Sequence, residues 1–352
     1  MKIHEKYIKR CIDLAKKGLG TTYPNPMVGA VIVREGKVIG EGWHQKAGGA
    51  HAEVNAINSV KDKSLLKEAT IYVSLEPCNH FGKTPPCSNL ILENKIPKVV
   101  IGCVDPFDKV SGKGIEKLKK NGCEVTVGVL EGECKDLNKR FFRYHILKRP
   151  YVILKWAETK DGFMDMERKV ANENHAKPNW ITNSYSRQLV HKWRTEEQAI
   201  MVGTNTVLND NPKLNVRSWF GKNPIRIVID RSLRIPQNYN VFDGRVKTIV
   251  ITENLETFNR SNLIFEKIDF SRNVESQICE VLYRYEIQSV IIEGGAQLLE
   301  SFLKLHLWDE ARVFVGSLTF SKGVKAPIIK GSESCSKKIQ SDVLKVITNN
   351  NC

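Results

Sequence analysis

Two short segments carry residue types that could build a hydrolytic metal centre. In GGAHAEVNAI, one residue separates His51 from Glu53, and Val54, Ile57 and Val60 follow at the spacing of a buried helix face. In SLEPCNHFGKTPPCSNLIL, eight residues separate Cys78 from Cys87. One imidazole and two thiolates supply three tetrahedral ligands to Zn2+ and leave the fourth position open to water, which describes a catalytic site. Pro77 constrains the backbone before Cys78, and Pro85 and Pro86 restrict the loop before Cys87. Cys87 opens a helix, where unsatisfied N–H groups favour a thiolate. Glu53, near a helix start, reaches the open position without being a ligand. The competing readings are a structural site closed by His80 and a pair of buried thiols without metal.

Other residues could hold a substrate or cofactor. Asn25 stands between two prolines just before a strand, where its amide suits a heterocycle edge or a ribose hydroxyl, or satisfies its own turn. His44 lies shortly before His51, as a ligand contact or an ordinary loop histidine. Lys83 suits a phosphate or solvent. In the second half no GxGxxG follows a strand, but the pair Gly294-Gly295 leads from SVIIE into a helix whose N–H groups suit a cofactor phosphate.

These residues need a scaffold, and the apolar patterning supplies one. The first part reads as a helix with Ile8, Cys11, Ile12 and Ala15 on one face, strands at 27–33 and up to Trp43, and a helix opening near His51. Strands at 70–74, 98–104 and 124–129 then alternate with helices from Cys87 and around 114–120. A single helical stretch is expected over 131–145. Lys148-Arg149-Pro150 interrupts the pattern, and the domains are placed at 1–147 and 148–352. The second part alternates again, with strands at 151–157, 199–202, 225–230, 246–251, SVIIEGG and ARVFVG, and helices at 184–194, 273–285 and 296–305. Strands separated by helices indicate helices on the faces of a central sheet. The region 331–352 is the least interpretable, although VLKVI reads as a final strand.

A length of 352 residues, 41% hydrophobic and 26% charged, is that of a folded chain of about two domains. The formal charge of +15 suits nucleic acid, an anionic membrane or phosphorylated small molecules, yet no run of five or six basic residues occurs. No apolar stretch has the length of a membrane span, and the start lacks the apolar core of a signal peptide. Nine cysteines, an odd number in a large chain, argue against a secreted disulfide framework, so a cytoplasmic protein is expected.

The His-x-Glu and Pro-Cys-x8-Cys pattern resembles the zinc-dependent cytidine deaminase-like superfamily, whose glutamate shuttles protons and is not a ligand. Over both halves the chain is similar to the bifunctional riboflavin-biosynthesis deaminase/reductase family. The motifs that carry this are TTYPNPMVGAVIV, GWHQKAGGAHAEVNAI, YVSLEPCNHFGKTPPC and CVDPFDKVSGKG in the first half. In the second they are LKWAETKDG, WIT, RTEEQAIMVGTNTVLNDNPKLNVR, PIRIVID and IIEGGAQLL.

The resemblance implies a cytidine deaminase-like three-layer α/β domain followed by a dihydrofolate reductase-like α/β domain that uses NADPH. It implies Zn2+ on His51, Cys78 and Cys87, proton transfer by Glu53, and deaminase substrate contacts from Asn25 and His44. Ala157, Trp180, Thr206, Asp210, Gly294 and Gly295 resemble cofactor positions, with Asp210 also beside the reacting carbon. Arg194, Leu214, Arg217 and Glu293 resemble substrate positions of the reductase. Without the resemblance, Trp180 reads equally as core, Thr206 and Asp210 as caps, and the arginines as surface charges. Two positions depart from the family: Pro178 stands where a small hydroxyl residue is frequent, and Arg231, which could itself approach a cofactor phosphate, where serine is. The expected partners are a phosphorylated pyrimidine and a second copy of the chain in a dimer, with neither nucleic acid nor membrane. An RNA-editing deaminase would share the zinc chemistry, but the chain lacks basic residues interleaved with aromatics.

Overall fold

The structure, a computed structural model, describes residues 2–79, 85–107, 111–167, 178–254 and 261–350. The chain divides into two compact units, Met1–Lys148 and Arg149–Cys352.

The first unit contains strands β1 (Gly29–Arg34), β2 (Lys37–Trp43), β3 (Thr70–Leu75), β4 (Lys98–Cys103) and β5 (Glu124–Val127), in the order β2-β1-β3-β4-β5. The β1 pairings are antiparallel, while β3, β4 and β5 run parallel. Its helices are α1 (Lys2–Ala15), α2 (Ala52–Ser59), α3 (Cys87–Glu93), α4 (Lys113–Lys120), α5 (Glu131–Leu137) and α6 (Lys139–Leu147). Side chains alternate across a strand, so β1 serves two cores. Ala30 and Ile32 pack with Ala56 and Ile57 of α2, Ile91 of α3 and Leu118 of α4. Val31 and Val33 pack with Ile8 and Ile12 of α1 and Cys134 and Leu137 of α5. Helix, sheet and helix layers result.

The helical stretch expected over 131–145 is broken. Asn138 (φ −106°, ψ 24°) separates α5 from α6, and its amide is spent on Met27 rather than on a helix surface. Helix α6 ends where Lys148 turns left-handed (φ 54°), just before Arg149-Pro150 excludes further helix.

The second unit contains β6 (Tyr151–Glu158), β7 (Phe163–Asp165), β8 (Ala199–Gly203), β9 (Ile225–Ile229), β10 (Thr248–Thr252), β11 (Leu263–Lys267), β12 (Ser289–Glu293), β13 (Glu310–Val315), β14 (Val324–Lys325), β15 (Ser332–Ile339) and β16 (Asp342–Thr348). Its helices are α7 (Ser184–Glu196), α8 (Thr204–Asp210), α9 (Val274–Arg284) and α10 (Ala296–Lys304). The nine-stranded sheet has the order β11-β10-β9-β8-β12-β6-β13-β16-β15. Every pairing from β11 to β13 is parallel, and β16 and β15 close it as an antiparallel hairpin. Strand β12 is buried throughout, as a parallel strand covered on both faces must be. Its Val290 and Ile292 join a cluster with Ile278 and Leu282 of α9 and Leu299 of α10, while Ile291 meets Val190 and Trp193 of α7.

Strands β11 and β15 have no counterpart in the sequence reading. Both are edge strands, and SESCSKKI is exposed along nearly its whole length, so it lacks the apolar alternation that marks a half-buried strand. Pairing with β16 organises it. Among the described residues, no helix is long and apolar enough to cross a membrane.

Candidate active sites

His51 is the N-cap of α2, Cys78 lies three residues beyond the end of β3, and Cys87 is the first residue of α3. The turns therefore bring one imidazole and two thiols together from segments far apart in sequence. His51 Nδ1 lies 3.6 Å from Cys78 Sγ and 3.3 Å from Cys87 Sγ, and all three donor atoms fall within 4.8 Å of one another. Tetrahedral Zn–N and Zn–S bonds of about 2.0 and 2.3 Å put donors roughly 3.5 to 3.8 Å apart, so the cluster has the size zinc requires. Cys78 Sγ accepts from the Cys87 N–H at 3.3 Å.

The electrostatics favour a thiolate. Hydrogen bonding from Cys87 and then His51 lowers the Cys78 thiol to about 4, while the Cys87 thiol, facing that charge and buried, is pushed up. Contact with Cys78 raises the His51 imidazole. Glu53, 3% exposed, sits on the first turn of α2 against Cys87, and burial followed by the charge of Cys78 raises its carboxyl to about 7. His80 and Lys83 lie outside the described residues.

Asn25 and His44 are brought to the same place. The His44 ring meets that of His51 edge-on, with centroids 5.6 Å apart. His44 Nδ1 lies 3.0 Å from the Ala50 carbonyl, which can only accept, so Nδ1 carries the proton and Nε2 accepts from Asn25 Nδ2 at 3.1 Å. Burial lowers the His44 pKa, which favours the neutral ring. The Asn25 amide is thereby oriented.

Two buried side chains that brace this site carry no motif that singles them out in the sequence. Asn138 bonds both backbone polar groups of Met27, two residues beyond Asn25. Glu76 accepts from Gly112 and Gly114 N–H groups at 2.9 Å each, and so ties the start of α4 beside Pro77. A Cβ at Gly114 would lie 2.1 Å from the Pro77 carbonyl, so only glycine allows this approach. A glutamate at the end of an apolar strand, in YVSLEPC, is the one signal of this role.

In the second unit a cleft of about 560 Å³ opens at the carboxyl ends of parallel strands, the expected place for a ligand in such a sheet. Thr206 and Asp210 of α8 and the pair Gly294-Gly295 after β12 line it, with Pro178. Both glycines have positive φ, 94° and 62°, and a Cβ on Gly294 would stand 3.0 Å from the Thr206 side chain. Side chains at the pair would fill the cradle, so the residues present fit a dinucleotide phosphate approaching the N-terminus of α10. Ala157, near the end of β6, packs against the Trp193 and Phe314 cluster, and Trp180 is 57% exposed with the Arg187 guanidinium 4.7 Å above its ring. Neither lines the cleft.

A charged group lies at the end of β12. Arg194 donates to both oxygens of Glu293, at 2.9 and 3.3 Å, and Lys155 of β6 reaches Glu293 at 3.8 Å. Burial alone would raise Glu293, but Arg194 and then Lys155 hold its carboxyl at about 2. Burial lowers Lys155. Arg194 also donates to the Asn215 carbonyl, and Arg217 donates to the Asn215 side chain at 2.7 Å. His191 accepts from the Arg217 N–H at 3.2 Å, and burial, then Arg194 and Arg217, lower it to about 4. Buried Leu214, with φ 47°, lies just before Asn215. Lys155 and His191 have no role in the sequence reading, although LKWAETKDG contains the first; a lysine inside a buried strand is its signal.

A metal-type cluster between two helix N-termini in one unit, and a glycine-lined cleft at a parallel sheet's carboxyl edge in the other, define a two-domain enzyme. Its first unit has the cytidine deaminase fold and its second that of dihydrofolate reductase-like reductases. Residues 1–103 match the cytidine and deoxycytidylate deaminase zinc-binding region, and residues 150–351 match the RibD C-terminal domain. The chain belongs to the RibD family of bifunctional deaminase/reductases. The riboflavin biosynthesis protein RibD of Aquifex aeolicus is 42% identical over 92% of this chain and 89% of its own length, and that of Actinobacillus pleuropneumoniae 40% identical over 92% and 86%. The crystal structure of a diaminohydroxyphosphoribosylaminopyrimidine deaminase/5-amino-6-(5-phosphoribosylamino)uracil reductase from Thermotoga maritima is 39% identical and covers 99% of both chains with a TM-score of 0.87.

Proposed function

We propose that this enzyme deaminates 2,5-diamino-6-(5-phosphoribosylamino)pyrimidin-4(3H)-one at its 2-amino carbon and then reduces the ribosyl group of the resulting aminouracil to ribityl. The observation that carries the reading is the His51–Cys78–Cys87 cluster with Glu53 buried against it, in one chain with the glycine-lined cleft. Zinc held by the three residues supplies Lewis-acid activation of water near neutral pH. Glu53 takes a proton from the attacking water and delivers it to the ring nitrogen, then moves the remaining hydroxyl proton to the amino group, which leaves as ammonia. Glu53 is buried on the first turn of α2 beside the three ligands, which places its carboxylate to accept and then release that proton. Among the described residues Asn25 Oδ1 has no hydrogen-bond partner, and it accepts from the heterocycle while His44 fixes its orientation.

In the reductase, NADPH supplies a hydride to C1 of the ribosyl group, opened to its imine. Thr206, Gly294 and Gly295 hold the cofactor, with Ala157 and Trp180 at its margin. Arg194 and Arg217 hold the substrate phosphate, Leu214 packs on the substrate, and Glu293 orients Arg194. Asp210 orients or protonates the opening sugar. The same reading includes a homodimer, which sedimentation would register. It also includes a cytoplasmic setting, supported by the eight described cysteines, all free thiols.

The test is a coupled assay on zinc-reconstituted enzyme, following ammonia release and NADPH oxidation separately with the pyrimidine phosphate. Wild type should show both activities. Asp210→Asn should release ammonia normally and slow isotope-sensitive hydride transfer; unchanged single-turnover reduction would leave Asp210 structural. Absence of both wild-type activities would overturn the substrate assignment.

A further inference from the structure

The residues lining the reductase cleft include a single cationic side chain among the described residues, Arg234. It lies in the loop after β9, and its backbone is fixed by Asp230, which is 1% exposed and accepts from the N–H groups of Arg234 at 3.0 Å and Ile235 at 2.9 Å. Thr204, at the start of α8, hydrogen-bonds the same carboxylate at 3.4 Å. The guanidinium itself is uncommitted. Its one contact among the described residues is Asn205 Oδ1 at 3.5 Å, a neutral acceptor at the limit of a hydrogen bond, and no carboxylate among them pairs with it. The other arginine of this loop is already engaged. Arg231 is ion-paired to Glu253 at 2.8 Å, packs over Phe270, and does not line the cleft.

NADPH and NADH differ by one monoester phosphate on the adenosine ribose. A pyrophosphate can be held by backbone N–H groups at a helix N-terminus, which the glycine pair before α10 leaves accessible. The monoester carries more charge on one group, and the carboxylates Asp165 and Asp210 make the rest of the cleft unfavourable to it. A planar guanidinium on a fixed backbone meets such a phosphate with paired, charge-assisted hydrogen bonds. We propose that Arg234 selects NADPH over NADH by receiving that phosphate. The inference rests on the NADPH reading above and assigns the residue that makes the choice.

Binding measured by calorimetry on the full zinc-loaded chain, with NADPH, NADH and adenosine 2′,5′-bisphosphate as probes, tests it without turnover. Arg234→Gln should weaken NADPH and the bisphosphate by roughly ten- to a hundredfold and leave NADH within about twofold. Arg234→Lys should recover part of the loss, since it restores charge without the fork. Arg231→Gln should keep the wild-type preference. Equal loss of NADPH and NADH in Arg234→Gln would assign a structural role and overturn the proposal, as would loss of preference in Arg231→Gln alone. A wild type that binds NADPH while Arg234→Gln binds it equally well refutes only this assignment. A wild type that binds neither dinucleotide refutes the NADPH reading along with it.

Discussion

The side-chain amide of Asn138 exchanges two 2.8 Å hydrogen bonds with the backbone of Met27, donating to its carbonyl and accepting from its N–H, across 111 residues of sequence. Both residues are buried. The bonds join the break between α5 and α6 to the loop that carries Asn25, and Asn25 in turn orients against His44 beside the metal ligands. Asn138→Ala would leave two buried backbone groups unsatisfied, at about 1 to 3 kcal/mol each. The variant should lose about 2 to 6 kcal/mol of stability in denaturant titrations that follow the first unit, and its KM for deamination should rise while reduction of a supplied intermediate continues. A stability change below about 0.5 kcal/mol would remove the clamp from this account.

Glu53→Gln preserves size and burial but cannot accept the water proton. It should retain about one zinc per chain by metal analysis and lose roughly 10² to 10⁴ in ammonia release. NADPH oxidation with the deaminated intermediate should persist. Near-normal ammonia release would take Glu53 out of the reaction.

His191 sets a pH dependence for the second unit. Its folded pKa of about 4 lies below the ordinary value of 6.5, because burial and then Arg194 and Arg217 oppose its charge. The unfolded chain therefore binds more protons between those values. The contribution of the neutral ring is fully present above about pH 6.5 and is lost as the pH falls toward 4. Denaturant midpoints of the wild type should fall across that window, and His191→Gln should fall less. Parallel curves for the two proteins would contradict the assignment.

Much of the candidate metal site is legible in the residue pattern alone. His51, Glu53, Cys78 and Cys87 announce themselves because zinc chemistry demands particular residue types, and the turns that deliver them are marked by prolines and helix starts. The alternating strands and helices of both units are legible because burial imposes a period of 2 on strands and about 3.6 on helices. Strand β12 and its glycine pair read as a phosphate loop on similar grounds: SVIIE carries the apolar run Val290-Ile291-Ile292, and the two glycines tolerate the positive φ of the turn that follows.

What the tertiary structure decided is the set of partners that no local pattern encodes. Asn138 breaks an otherwise continuous helix because Met27 needs its amide, and that need exists only when the two segments meet. The resemblance singles out Glu293, but only folding puts Arg194 and Lys155 on its carboxylate. Arg231 and Arg234 are three residues apart in one basic loop, and sequence spacing treats them alike. Folding gives one to Glu253 and turns the other into the cleft. Hydrophobic periodicity records which face of an element is covered, but the pairing of charges depends on chain segments brought together from different strands, so it is determined only when the sheet is assembled.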